Sequence, residues 1–541
     1  MQRRPKRAPG PAGGPSFDAL PDELLLAVFQ LVPQMTCKPI LAVGLQSRGA
    51  IERVCNRWRR LALQLPTSLA LSFRSTHDDP RGMNAEGVAA ALHELLPHLA
   101  CRRIAALTAG GDTATLAAPV PALLARALYP DLRSLHLDGA SGAYFASFLP
   151  LCRRLEELML NTDDDFRECA VDLQLLCSQL CGLSHPLRLL VLKTNRPDTQ
   201  LLATIGRHVQ PAALALHTRG LAAGMWLPQL RACSITIGDN EALSQLTSGL
   251  EAAQLPQLCS FVFHDARPAA ERQASPPTLP ALALLPALCK MECIGSMPRS
   301  TWCCPHLTSL LVTDAKRIST PADSAAQCTS LRQLELRGGC RFAGGRFPAN
   351  LCSALSQLSS LALLAGDGSL TAHLQTSLPQ DFSQLSSLRQ LHITGVALKP
   401  PSVEAFRRLP GLTSLHLCNC RMGGLPDGPY LSNLRSLDLS GSNPQLASPI
   451  PFAATVARQL QALRIRWDAE PDDWWPDVQW KLRCFPGLKL LSLDLQLEDY
   501  THPYIDVLRD LIRSELPSCW PDLDGYSLEY PEAANWPDLK H

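Results

Sequence analysis

At 541 residues the chain is longer than one ordinary globular core requires. Its net charge of +1 argues against a dedicated nucleic-acid binder or a polybasic membrane protein. Hydrophobic residues make up 46%, enough for a large core, yet the longest apolar run, 279–289, is too short and too proline-broken to span a bilayer.

Residues 1–16 are rich in Pro, Gly and Arg with nothing to bury, so a disordered basic tail is expected there. Arg3, Arg4, Lys6 and Arg7 suit either a nuclear-localisation signal or, more simply, a solvated terminus. No charged start followed by an apolar stretch is present, so no secretory leader is expected. The twenty cysteines then read as reduced thiols of a cytoplasmic or nuclear protein.

Segment 17–32 opens with Leu20, Pro21, Asp22 and Glu23, a helix start with proline and acids in the first turn. Leu24, Leu25, Val28, Phe29 and Val32 follow at three- and four-residue spacing. A second helical block, 54–62, carries Val54, Cys55 and Trp58.

From residue 66 a different period takes over. Leu412, Leu415 and Leu417 recur as Leu434, Leu437 and Leu439, the pattern L-x-x-L-x-L. In a short strand, residues two apart share a face, so Leu415 and Leu417 point inward and His416 points out. Clear strands open at Ile104, Leu132, Leu155, Leu187, Leu258, Leu307, Leu331, Leu388, Leu412, Leu434, Leu460 and Leu488. Weaker ones fall near Leu69, Ala212, Leu230, Leu288 and Leu361. One such unit cannot bury its apolar face alone, so the units must stack side by side. The spacing predicts helices over 84–99 and 165–180 and a protruding loop over 266–280. The asparagine common at the turn of such repeats is mostly replaced, by Gly339, Val396, Cys420 and Ser442, so irregular turns are expected.

Cys101, Cys152, Cys304 and Cys328 each precede a repeat as C-x-x-[LI]-x-x-L, which reads as one core slot filled by a small hydrophobe. Metal ligation would require a second matching pair or a histidine cluster beside Cys303/Cys304 or Cys418/Cys420, and neither is present. No cofactor is expected. Phosphate-binding, zinc-protease and nucleophile-elbow motifs are absent, and the triplet 163–165 reads as a helix cap rather than a calcium loop.

The pair LPDELLLAVFQLV … VCNRWRRLA ahead of such repeats resembles the F-box leucine-rich-repeat family, substrate receptors of SCF-type (Skp–cullin–F-box) ubiquitin ligases. The resemblance implies an α/β fold: a curved parallel sheet with helices and irregular turns on its convex side, a leucine-rich-repeat solenoid preceded by a small all-α F-box-like domain. It divides the chain into 17–65, a solenoid of about 16 repeats over 66–497 and a C-terminal cap over 498–541. By this resemblance Leu20, Pro21, Leu24, Leu25, Phe29, Val54, Cys55 and Trp58 contact or frame the Skp adaptor, through it a cullin, and the repeats hold an unknown target protein. The middle, 33–53, is longer than in the family and carries Gly49, Ala50 and Glu52 where apolar residues are expected. That departure supports the alternative of a helical cap on a leucine-rich-repeat scaffold without a ligase role, cytoskeletal or axonemal for example.

A target surface is expected on the strand face between the core leucines. One row there is Glu335, His392, His416, Asp438, Arg464 and Ser492, beside a second with Arg337, Thr394, Ser440, Arg466 and Asp494. Val191, Val262 and Leu311 make its middle apolar. An apolar centre beside mixed charge suits a protein ligand, not nucleic acid or membrane. Trp474 and Trp475, in an acidic aromatic insertion between repeats, join the candidate residues because tryptophan is common at interface hot spots. His392 and His416 stack on neighbouring strands without a third ligand, so a metal site is not expected.

Overall fold

The computed structural model describes the backbone of 35–36, 43–47, 66–73 and 103–111, much of 132–440, and then 443–444, 459–467, 487–495 and 520–522. Segments 139–148, 163–176, 319–327, 341–351 and 365–383 fall outside the described residues, as do the predicted helix 84–99 and the F-box residues Leu20, Pro21, Leu24, Leu25, Phe29, Val54, Cys55 and Trp58. The chain divides into two compact units, Met1–Leu230 and Arg231–His541.

In the first unit, β1 (Met35–Thr36) and β2 (Val43–Ser47) form an antiparallel pair, and β2 pairs antiparallel with β3 (Pro66–Phe73). β1 and β2 lie inside 17–65, so the expectation of an all-α segment is corrected at 35–36 and 43–47, while the helical blocks expected at 17–32 and 54–62 fall outside the described residues. From β3 the ladder is parallel, through β4 (Arg103–Gly111), β5 (Ser134–Asp138), β6 (Glu157–Thr162), β7 (Leu189–Thr194) and β8 (Ala213–Thr218). The C-terminal end of the predicted helix 165–180 is helical at 177–181, with Cys177 and Leu180 buried. Helix α1 (Thr199–Thr204) links β7 to β8 and buries Leu201 and Leu202.

The second unit repeats one operation. β9 (Leu230–Ile237), β10 (Ser260–Asp265), β11 (Lys290–Ile294), β12 (Ser309–Thr313), β13 (Gln333–Arg337), β14 (Ser360–Leu364), β15 (Gln390–Thr394) and β16 (Ser414–Cys418) pair in parallel, each with the next. After β16 comes β17 (Arg421–Met422), which leaves the main ladder to pair in parallel with β19 (Asn443–Pro444). The main ladder itself continues from β16 to β18 (Ser436–Leu439), β20 (Ala462–Trp467) and β21 (Leu490–Leu495). β22 (Trp520–Asp522) pairs with β21, adding a strand within the segment expected as a cap.

The inward leucines behave as the pattern requires. Leu412, Leu415 and Leu417 are fully buried, as are Leu388 and Ile393, while His392, Ser414 and His416 are half-buried. Each buried Leu side chain contributes about 1.5–3 kcal/mol of transfer free energy. The slot three residues before each opening leucine is also constant. Cys152, Cys304 and Cys328 fill it in three repeats, and Leu255, Leu285, Leu355, Leu385, Leu409 and Leu431 fill it in others, all buried. In every case the slot residue's carbonyl accepts from the N–H of the opening leucine, as in Leu331 N to Cys328 O at 3.2 Å and Leu388 N to Leu385 O at 3.0 Å. The repeat cysteines are therefore core residues, and burial pushes the thiols of Cys304 and Cys328 up to about 12.

The strand ends share a device that the sequence did not announce. The second residue after the last inward side chain is left-handed in five repeats: Gly295, Asp314, Gly338, Gly395 and Asn419, with φ between 52° and 83°. Its N–H continues the ladder by one bond, from Gly295 to Thr313 O, Asp314 to Arg337 O, Gly395 to Cys418 O and Asn419 to Ser440 O, at 2.8 to 3.0 Å. Only Gly, Asn and Asp adopt this conformation readily. Cys420, at an expected asparagine position, is fully buried with its thiol 3.4 Å from Ile393 O.

Segment 266–280 is not a protruding loop. It contains α3 (Ala269–Ala274), numbered after α2 (Asn240–Ala252), and its base is buried at Arg267, with 1% exposed, and at Leu279. Helix α2 was also not foreseen. Its N-cap Asp239 accepts from Ala242 N at 2.7 Å, and only Leu246 and Leu250 of its face are buried, too weak an apolar period to read against the flanking repeats.

Candidate interaction surface

The ladder registers test the expected rows directly. Across successive strands of the second unit, Ser234, Val262, Glu292, Leu311, Glu335, Ala362, His392, His416, Asp438, Arg464 and Ser492 are consecutive partners. His392, His416, Asp438 and Arg464 thus stand on four neighbouring strands as expected, whereas Ala362 separates them from Glu335. The expected apolar middle is interrupted by Glu292, between Val262 and Leu311. Val191 belongs to the other unit, in a row with His136, Met159 and Ala215.

On one side of this row runs a column of small polar residues. Ser309, Gln333, Ser360, Gln390, Ser414 and Ser436 are consecutive partners. On the other side Thr313, Arg337, Leu364, Thr394 and Cys418 are in register. Arg466 pairs with Asp494 in the backbone ladder, its side chain outside the described residues along with all of Trp474 and Trp475.

The histidines form the centre. Their ring centroids lie 5.3 Å apart with an edge-on interplanar angle of 62°. His392 Nε2 shares a hydrogen bond with Thr394 Oγ1 at 3.0 Å, and His416 Nε2 lies 2.9 Å from Ser414 Oγ and 3.3 Å from Ser436 Oγ. Burial, the neighbouring His416 and the Arg337 charge, opposed by Asp438, bring His392 down to about 4. Burial likewise lowers His416, against the pull of Asp438. Both rings are neutral at pH 7, so they offer hydrogen bonds and flat apolar faces rather than positive charge.

Asp438 is more deeply set than a surface residue, 4% exposed, and its Oδ1 accepts from Ser440 N at 2.9 Å. Next to it, Arg464 Nε is buried without a hydrogen-bond partner. Arg337 Nε donates to Glu335 Oε1 at 2.6 Å. The row therefore combines fixed donors and acceptors with two aromatic rings in a half-buried band. Among the described residues, no group of three or more His, Cys, Asp or Glu could hold a metal ion, and no helix is long and apolar enough to cross a membrane.

A polar cluster that sequence reasoning missed lies in the same unit. Asp265, at the end of β10, and Arg267 are both buried. Arg267 Nη2 donates to Asp265 Oδ2 at 2.8 Å and its Nε to Oδ1 at 2.9 Å. Its Nη1 reaches Asn240 Oδ1, the first residue of α2. Ser296 Oγ, beyond the end of β11, donates to Asp265 Oδ2, and Arg272 Nη1 on α3 donates to Asp265 O at 3.1 Å. Burial alone would raise the Asp265 carboxyl, but the Arg267 and Ser296 hydrogen bonds outweigh it and hold the group below its ordinary value. Asp265 thus ties two helices to two strand ends, through its carboxylate to Arg267 and Ser296 and through its main-chain carbonyl to Arg272.

Comparison with known proteins gives fold-level likeness only. No family model matches the chain, and no curated protein matches it in sequence. Among solved structures it is similar to an internalin from Listeria monocytogenes, at 18% identity over 70% of this chain and 93% of that one, with a TM-score of 0.38. It is similar to the TLR13–ssRNA13 complex at 15% identity over 78% and 69% of the two chains, TM-score 0.42, and to the Toll–Spatzle complex of Drosophila at 13% identity over 92% and 59%, TM-score 0.41. These values carry no argument about what this chain binds. On its own registers and repeat spacing, the chain is a leucine-rich-repeat-fold, parallel β-solenoid protein.

Proposed function

We propose that the chain is a non-catalytic protein-recognition scaffold whose half-buried strand face holds a segment of a partner protein. The observation that carries this reading is the register of His392, His416, Asp438 and Arg464 on consecutive strands, flanked by the Ser/Gln column. Such a band offers an extended chain alternating hydrogen bonds and ring contacts, and energy in such interfaces concentrates on a few residues. The test is a triple variant, His392→Ala/His416→Ala/Arg464→Ala, compared with wild type for co-purifying proteins by quantitative mass spectrometry. A discrete partner set lost from a folded triple variant supports the reading; identical partner sets sink it.

The finer reading is a substrate receptor of an SCF-type ubiquitin ligase, with the Skp adaptor, a cullin and a target protein as partners. Its support is the LPDELL … VCNRWRRLA match. Tethering would raise the effective concentration of target lysines at the ligase. Retention of the Skp adaptor by the wild type and its loss with Leu20→Ala/Pro21→Ala would support it; no retention by a folded wild type leaves the scaffold reading alone. Either reading suits the cytoplasm or nucleus, or a cytoskeletal site, since the many thiols fit a reducing compartment.

A further inference from the structure

Cys259 and Cys289 do not occupy the core slot that holds Cys152, Cys304 and Cys328. Cys259 and Cys289 each follow an opening leucine, Leu258 and Leu288, at the position where the chain turns into its strand. Elsewhere in the second unit that position holds Arg231, Thr308, Arg332, Ser359, Arg389, Thr413, Arg435, Gln461 and Lys489, every one hydrophilic. Packing therefore gives no reason for cysteine here. Both are free thiols and half-buried, in contrast to Cys304 and Cys328.

They are also immediate neighbours. Cys259 and Cys289 precede the partners Ser260 and Lys290 in the β10–β11 register. The N–H of Cys289 donates to Cys259 O at 3.0 Å, and its thiol lies 3.4 Å from the same carbonyl. Strands in a sheet stand about 4.8 Å apart, within the roughly 4.4–6.8 Å between α-carbons that a disulfide spans. The Cys259 thiol points the same way round, to Arg231 O at 3.3 Å. Closing the pair requires the Cys259 side chain to turn from Arg231 toward Cys289.

We infer that Cys259 and Cys289 form a cross-strand redox pair that closes to a disulfide when the protein meets a peroxide. The balance is complete. One thiol is oxidised by the peroxide to a sulfenic acid with release of water, and the second thiol displaces the sulfenic oxygen as a second water while the S–S bond forms. Two electrons pass from the two sulfurs to the peroxide. The buried cysteines do not compete, because burial keeps Cys304 and Cys328 in the unreactive thiol form.

Closure would join the starts of two repeats and enclose the segment that carries α3, which Arg267 and Arg272 already tie to Asp265. The alternative is that each thiol only substitutes for a hydroxyl. Thr308, Ser359 and Thr413 donate from this position to the preceding repeat's carbonyl in the same manner, at 2.9 to 3.1 Å.

The experiment treats the full-length protein with hydrogen peroxide, alkylates remaining thiols and maps tryptic peptides; cleavage after Arg272 places the two cysteines on separate peptides. The expected result is a Cys259–Cys289 linked pair, reversed by dithiothreitol and formed before Cys304 or Cys328 is modified. In Cys259→Ser, a dimedone adduct should accumulate on Cys289, and in Cys289→Ser on Cys259. Serine preserves the hydrogen bond that Thr308 makes, and circular dichroism checks that both variants fold. Finding both thiols still alkylatable while the exposed Cys181 is oxidised would overturn the inference. So would adducts on each thiol of the wild type without a linked peptide.

Discussion

Arg267 and Asp265 face each other through two parallel hydrogen bonds, 2.9 and 2.8 Å long, with both side chains wholly shielded from solvent. Removing one partner strands a buried charge, which costs about 3–5 kcal/mol, while replacing both with apolar residues is often near neutral. Asp265→Ala should therefore lower the stability of the second unit by several kcal/mol. The double variant Asp265→Leu/Arg267→Met should recover much of that loss. Urea unfolding of the three proteins checks the order.

Gly295 poses a steric test next to the same cluster. It holds φ +83°, and an added Cβ would meet Asp265 O and Arg272 Nη1, each at 2.4 Å. Gly224 has φ +78° but open space around it. Gly224→Ala should cost only backbone strain, about 1–2 kcal/mol. Gly295→Ala should cost more, because a backbone carbonyl has to move as well. Thermal melts of both variants would rank them.

The neutral histidines make stability depend on pH. An unfolded histidine titrates near 6.5, whereas folded His392 titrates at about 4. Between those values the unfolded chain binds the extra proton, so stability is full above about pH 6.5 and falls as pH drops toward 4. His416 is lowered too and adds to the same slope. His392→Gln should flatten the decline. Denaturation midpoints at pH 7 and pH 4.5, wild type beside variant, measure it.

Cysteines in the core slot should behave differently from those at the strand starts. Cys328 is fully buried and its thiol lies 2.9 Å from Trp302 O and 3.3 Å from Thr301 O. Cys328→Ala should cost about 1–3 kcal/mol through lost packing. Cys259→Ser should stay within about 0.5 kcal/mol, as surface changes do. Paired urea titrations distinguish the two classes.

The strands were legible because their signal repeats. Leu412, Leu415 and Leu417 announce β16 by spacing alone, and even weaker openings such as Leu288 and Ala212 proved to precede strands. The polar row was legible for the same reason, since residues between inward leucines share a face. The Asp265–Arg267 cluster was not, because its members come from two strand ends and two helices far apart in sequence, and a lone Arg before Pro268 reads as loop. Helix α2 hid behind a narrow apolar stripe, though Asp239 three residues before Ala242 was a usable cap signal. The two cysteine classes differ in place, three residues before an opening leucine or one after it, and the register with Ser260 and Lys290 adds that Cys259 and Cys289 stand side by side.

The left-handed residue that closes five of the strands has an evolutionary consequence. It fixes the distance from opening leucine to turn, while the stretches between successive openings range over about 19 to 30 residues. A gene duplication, insertion or deletion falling in those connections would change one bulge and leave its neighbours in phase. A single-residue deletion between Leu412 and His416 would instead invert every side chain that follows it in that strand, sending His416 inward and Leu417 out. Length polymorphism among relatives of this chain should therefore cluster between strands and spare the eight positions of each strand and its turn.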